Sequence, residues 1–272
     1  MKLRVSGLEL RFQAPDGADD LAILEAAGGP LERALVALPR MARVKESEDG
    51  VGPPAGSYEK RTPDFWAGLT VTDFETALLG LRRFLFGDKV ACVFRDRQHE
   101  CGVRMELEFS ITAFLDEARP RFPRGVRASD DPRWFLLQGS EAREVRFRLP
   151  TVEDQLEAMD SADGAPALAR RCIDAASGRE LKRTERAMEQ MAPPVSRPLA
   201  GNCPECGETL TMALHVPRLV MDELASEAVA IHEDTDAIAA TYHWDEAAIL
   251  AMPQRRRRAY AETIRRRERV AV

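Results

Sequence analysis

Leu8-Glu9-Leu10-Arg11-Phe12-Gln13-Ala14-Pro15, near the start of the chain, is echoed by Arg143-Glu144-Val145-Arg146-Phe147-Arg148-Leu149-Pro150, with Glu, Arg, Phe and Pro at matching steps. The match continues at Asp19 over Asp154 and Leu21 over Leu156. Each copy alternates polar and apolar side chains, the period-2 signature of a strand with one buried face, and stops at a proline that cannot donate to a sheet ladder. An acidic turn follows, then apolar residues at helical spacing: Leu21, Ile23 and Leu24 in one copy, Leu156 and Met159 in the other.

A second pair recurs at a different offset. Glu100-Cys101-Gly102 lies over Glu205-Cys206-Gly207, and alternating apolar residues come after both: Met105, Leu107, Phe109 and Ile111 against Leu210, Met212, Leu214 and Val216. A strand leaving a Cys-Gly turn is therefore expected twice. Between these marks Thr72 and Glu75 read as a capping box that opens a helix through Phe74, Leu78, Leu81 and Leu85. The longer first copy is expected to place its extra connecting material in the Gly/Pro-rich stretch 50–56 and the region around Arg61 to Trp66. The expected architecture is α+β, with two related lobes, each a small sheet or hairpin with packed helices and a zinc-ribbon-like Cys-Gly turn. The first lobe covers residues 1–130, the second 131–220, and a C-terminal helical docking segment 221–272.

With 272 residues, 44% of them hydrophobic, the chain can bury a substantial core. No apolar run approaches the 18 or so residues of a membrane span, and the N-terminus opens on a strand pattern rather than a signal peptide, so a soluble cytoplasmic protein with no membrane partner is expected. Five cysteines without disulfide-scaffold spacing fit a reducing compartment.

Cys203-Pro204-Glu205-Cys206-Gly207 has the form of a zinc knuckle, because two intervening residues let both sulfurs face one ion and glycine permits the left-handed exit. A closed structural zinc needs four ligands, and this turn supplies two. One reading is a shared site made by Cys203, Cys206, Cys101 and His99, or Cys92; the other is a turn that has lost its metal and is held by strand pairing, since Gln98 stands where a first cysteine would be. Cys172 is expected in the core, and His215 on the polar phase of its strand.

The C-terminal segment is the most distinctive. Residues 221–252 carry eight acidic side chains and no Lys or Arg, whereas 253–272 carry eight Arg against Glu262 and Glu268. Val220 to Thr241 reads as one acidic helix. Asp245 is a good N-cap for a short helix through Ile249, Leu250 and Met252, and Pro253 ends that helix and opens the next, which runs to about Arg269 with its arginines outward. Tyr242, His243 and Trp244 form an aromatic corner between them. Its surface suits docking: Tyr242, His243, Trp244, Ile249, Leu250 and Tyr260 as contacts, with Arg255 and Arg258 gripping an acidic rim. Truncation after Thr241 is expected to leave a soluble remainder without docking ability.

Catalytic signatures are absent from the sequence. The four histidines, His99, His215, His232 and His243, pair with no obvious nucleophile, and there is no phosphate-cradling loop, nucleophile elbow or His-Glu-x-x-His helix. The carboxylates around His232-Glu233-Asp234 are adjacent rather than convergent, as on a solvated helix face. A non-enzymatic protein is expected. A net charge of −6 and sparse aromatics among the arginines argue against nucleic acid as the partner.

In the order of these parts the chain resembles the baseplate hub assembly chaperone family of T-even-type contractile phages and their relatives in contractile injection systems. The resemblance rests on the strand phrase Arg4 to Leu24, a helix before a Cys-Gly turn, the repeat of both, and Tyr242-His243-Trp244 with Glu246, Ile249, Leu250, Arg258 and Tyr260. It implies an assembly chaperone or adaptor that binds baseplate, hub or spike proteins and either leaves or stays in the assembled particle. A permanent baseplate component and a zinc-ribbon nucleic-acid binder are the alternatives.

Overall fold

A computed structural model describes residues 1–45, 57–95, 104–139, 144–174, 178–203 and 205–271. In chain order the first elements are β1 (Leu10–Phe12), α1 (Gly17–Glu25), α2 (Pro30–Met41), β2 (Ala42–Lys45), β3 (Tyr58–Glu59), α3 (Pro63–Ala67) and α4 (Val71–Phe86). There follow β4 (Lys89–Arg95), β5 (Arg104–Ser110), α5 (Ile111–Glu117), β6 (Val126–Ala128), β7 (Trp134–Gln138), β8 (Glu144–Arg148), α6 (Val152–Met159), α7 (Ala165–Cys172) and α8 (Gly178–Met191). The last are β9 (Pro198–Asn202), β10 (Thr209–Ala213), α9 (Val216–Ala228), α10 (Ile231–Tyr242), α11 (Glu246–Leu250) and α12 (Gln254–Ala271). The fold is α+β. Its sheets are small and antiparallel: β1-β2-β3, β6-β7-β8, and the hairpins β4-β5 and β9-β10.

The chain divides into two compact units, Met1–Glu9 with Asp64–Val216 and Leu10–Pro63 with Pro217–Val272. These boundaries differ from the expected cuts at 130 and 220. Both hairpins lie in the first unit. Residues 221–272 belong to the second, because their helices share its core with α1 from the other end of the chain.

In the first unit α4 is the central element, buried from Thr72 through Arg82. It starts two residues earlier than the sequence suggests. The N-caps Thr70 and Thr151 form a β-bridge, and Val71 N–H donates to Pro150 O and Val152 N–H to Leu69 O, each at 3.1 Å. Thr72 and Glu75 are thereby freed for other bonds: Thr72 Oγ1 donates to Pro193 O at 3.1 Å, and the Glu75 carboxylate accepts from Ser196 N–H and Oγ at 2.8 and 2.6 Å. Asp73, between them, accepts from the backbone N–H groups of Arg4, Val5 and Ser6 at 3.0, 2.9 and 2.7 Å, which ties down the N-terminal segment. Beside this helix, β6-β7-β8 and α8 enclose an apolar cluster that includes Val145, Phe147, Cys172, Ile173 and Met191.

In the second unit the expected single helix from Val220 to Thr241 is two, α9 and α10, separated at Val229 and Ala230. Asp245 caps α11 as expected, accepting from Ala248 N–H at 2.8 Å. Ile238, Ile249, Met252, Ala261 and Ile264 form one buried cluster from α10, α11, α12 and the turn between the last two.

The strand–proline–helix phrase occurs in both units. Asp16 and Asp19 make a capping box on α1, and Thr151 and Asp154 make one on α6. Each helix start pairs with another: Asp16 bridges Pro253 as Thr151 bridges Thr70, and Gln254 N–H donates to Pro15 O at 3.1 Å.

Truncation after Thr241 removes Ile249, Met252, Ala261 and Ile264 and uncovers Ile238, so the shared core argues against a soluble remainder. The truncated chain is expected to lose the cooperative unfolding of the second unit and to aggregate, as scored by soluble yield and calorimetry against the full chain.

Candidate functional site

At the C-terminal corner of the second unit, α10 ends with His243 in the left-handed conformation at φ 56°, its N–H donating to Ala239 O at 2.9 Å. That reversal turns the next side chain back toward the helix it follows. Trp244 stacks on Tyr242 with ring centroids 5.2 Å apart, and Tyr260 of α12 meets both edge-on, at 5.3 Å from Trp244 and 5.8 Å from Tyr242. Stacked and edge-to-face pairs of this kind each add about 0.5–1.5 kcal/mol beyond area burial. The cluster is not closed off, since Trp244 keeps 38% of its surface exposed while Tyr242 and Tyr260 are half-buried. The Arg256 guanidinium lies 5.8 Å from the Tyr260 ring. Arg255 and Arg256 are exposed and have no ion pair among the described residues.

Not every residue expected at this surface is there. Ile249 is fully buried, because it sits on the face of α11 that meets α10 and α12. Leu250 is half-buried against α1: a Cβ built on Gly17 would lie 2.8 Å from the Leu250 Cα. Arg258 is half-buried and bonded to the carboxylate and carbonyl of Glu227, so it holds α12 to α9 rather than reaching outward. The expectation of outward arginines also fails at Arg257, which is 1% exposed and bonded to Asp20. Burial outweighs Arg257, Arg258 and Gln254 at Asp20 and leaves its carboxyl above the usual range. Tyr242, His243, Trp244, Arg255 and Tyr260 remain accessible, with Arg256 added by the structure.

The cysteine turn lies in the first unit between β9 and β10. Cys203 N–H donates to Glu208 O at 2.8 Å and Gly207 N–H to Cys203 O at 2.9 Å, with Gly207 at φ 74°. Cys203 is buried and Cys206 exposed. The neighbouring hairpin approaches β9 from the side: a Cβ on Gly201 would sit 4.0 Å from Leu107 Cδ1, and farther along the Arg197 guanidinium covers the Phe114 ring at 4.3 Å. His99 and Cys101 lie outside the described residues. Among those described, no group of three or more His, Cys, Asp or Glu converges on one point.

Sequence reading missed a buried cluster at the start of α6. Asp154 accepts from Arg148 through both terminal nitrogens, from Arg171 Nε at 3.1 Å, and from Thr151 N–H and Oγ1 at 3.0 and 2.9 Å. Burial alone would raise its pKa, but hydrogen bonds from Arg148, Thr151 and Arg171 overcome it and hold the carboxyl well below the usual range. A cleft of about 590 Å³ opens beside this cluster, bounded by Trp134, Arg148, Thr70 and Thr151. Cys172 abuts the same carboxylate; burial, reinforced by the Asp154 charge, pushes its thiol up to about 11, so it is a poor nucleophile at neutral pH. The equivalent position in the other unit is held differently. Gln13 stands in place of Arg148 and donates to Arg40 O at 3.1 Å, while Arg40 reaches Asp19 at 3.2 Å.

No family model, curated protein or solved structure matches the chain. No helix among the described residues is long and apolar enough to cross a membrane.

Because the folded pKa of Asp154 is depressed, its stabilisation is present above the unfolded value near 4 and drains away as pH falls toward the folded one. Asp154→Ala leaves Arg148 without its carboxylate and is expected to cost about 3 kcal/mol at pH 7. In urea titrations the difference between wild type and variant should shrink as pH drops below about 4.

Proposed function

We propose that this protein is a non-enzymatic assembly chaperone or adaptor that docks on baseplate, hub or spike proteins of a contractile tail or injection system. The observation that carries the reading is the aromatic corner, where Trp244, half supported by Tyr242 and Tyr260, faces solvent beside the exposed arginines 255 and 256. Exposed tryptophan beside arginine is the composition of binding hot spots, and a protein partner with an apolar notch and an acidic rim complements it. The sequence resemblance supplies the identity of that partner. Asp245 and Glu246, exposed next to Trp244, would repel a phosphate backbone, which favours a protein over nucleic acid. The repeated strand–helix phrase fits an ancestral duplication.

Capture of tail proteins by tagged full-length chain tests the reading. Trp244→Ala is expected to weaken capture by about tenfold or more, the effect of losing a hot spot of about 2 kcal/mol. Arg255→Glu with Arg256→Glu should slow association most at low salt. Unchanged capture by the tryptophan variant sinks the proposal. Presence of the chain in finished particles, at fixed stoichiometry, would assign it as a permanent component instead.

The same reading includes a zinc held by Cys203 and Cys206, completed by Cys101 and His99. Metal analysis of reduced protein should return about one zinc per chain, abolished by Cys203→Ser with Cys206→Ser. A metal-free protein with an intact fold would assign the turn to hydrogen bonding alone.

A further inference from the structure

Helix α12 has little apolar surface with which to fix its position. Of the 18 residues from Gln254 to Ala271, the buried apolar ones among those described are Ala261 and Ile264. An alanine and an isoleucine make a smooth, short contact that tolerates sliding or rotation of the helix. The third buried position on that face, four residues before Ala261, is Arg257.

Arg257 is surrounded by carboxylates from two other helices. Its Nη2 donates to Asp20 of α1, and its Nε lies 3.9 Å from Asp234 Oδ2 of α10. All three side chains are within 2% of full burial. The other oxygen of each carboxylate is also taken: Gln254 Nε2 donates to Asp20 Oδ1 at 3.1 Å, and Arg265 Nη2 to Asp234 Oδ1 at 2.9 Å. α1 comes this close because Gly17 has no side chain; a Cβ there would lie 2.9 Å from Arg257 Nη1. Three atoms remain buried without a protein hydrogen-bond partner among the described residues, Arg257 Nε, Arg257 Nη1 and Asp234 Oδ2. Leaving such groups bare costs about 1–3 kcal/mol each. Arg257 Nε and Asp234 Oδ2, a donor and an acceptor 3.9 Å apart, are placed to share one bridging water.

We infer that Asp20, Arg257 and Asp234, bridged by a buried water, form a latch through which α1 fixes the pose of α12, making Asp20 a positioning residue for the docking corner. The latch sits less than one helical turn before Tyr260, so the rotation of α12 that it sets decides whether Tyr260 meets Trp244 and where Arg255 and Arg256 point. A fork-shaped guanidinium between two fixed carboxylates is directional, and a slipped or rotated helix would strand buried charges. The docking role rests on the function proposed above, whereas the latch itself is testable without any partner.

Amide hydrogen exchange of the full-length protein provides the test. Asp20→Asn and Arg257→Lys should each raise exchange across residues 254–264 about tenfold or more, with residues 71–86 unchanged. Lysine keeps the charge but cannot span two carboxylates, so it is expected not to rescue. Wild-type exchange in both variants overturns the latch. If Asp20→Asn proves too unstable to handle, Arg257→Lys alone decides. Crystallographic density for a water between Arg257 Nε and Asp234 Oδ2 supports the bridge, and a direct Nε–Oδ2 hydrogen bond refutes it. Capture of tail proteins separates the two claims. Loss of capture by Trp244→Ala with normal exchange in Asp20→Asn retains docking and rejects the latch, and the converse pattern retains the latch and rejects docking.

Discussion

Asp20, Asp73, Glu75 and Asp154 are carboxylates buried in the first two turns of helices, and each holds a part of the chain distant in sequence or in space. Asp73 gathers three successive backbone N–H groups of the N-terminal segment; Glu75 takes the link before β9; Asp154 clamps β8 and α7 to α6; Asp20 grips α12. Placement near a helix start suits a negative charge, because the unsatisfied N–H groups there carry partial positive charge. Desolvation works against Asp20, Glu75 and Asp154; it prevails at Asp20 and Glu75, whereas at Asp154 the hydrogen bonds prevail. Such contacts add modestly to stability once desolvation is counted. Their larger effect is to penalise alternatives, since any other arrangement leaves a buried carboxylate without donors.

Periodicity made much of the fold legible. The strand–proline–helix phrases, the strands after both Cys-Gly positions, the cap at Asp245 and the break at Pro253 are all local signals, each carried by a few neighbouring residues. Long-range pairings were not legible. The start of α4 was misplaced because Thr70 and Thr72 both offer plausible caps, and only the bridge to Thr151 decides between them. The division into two compact units was not legible for the same reason, since nothing near residues 10–63 announces that their unit is completed by residues 217–272.

At the C-terminal aromatic corner the accessible residues were legible from the aromatic phrase, but Ile249 and Arg257 were assigned to the wrong environments. Arg257, Ala261 and Ile264 stand at helical steps of four and three, the spacing of an inward stripe. That spacing was visible in the sequence. A run of four arginines hid it, because adjacent like charges suggest a solvated face even though helical geometry sends each in a different direction. The result is division of labour within one basic run: 255 and 256 face solvent, 257 enters the core, and 258 braces α9.

The split composition of the second unit has a consequence for synthesis on the ribosome. Residues 64–216 are made before residues 217–272, which complete the unit begun by 10–63, so that early segment must wait for them. Domains generally form in the order in which their sequence appears. Here an early piece closes last, and the aromatic cluster of Tyr242, Trp244 and Tyr260 is complete only once α12 has emerged, so a product cut short before residue 254 lacks it.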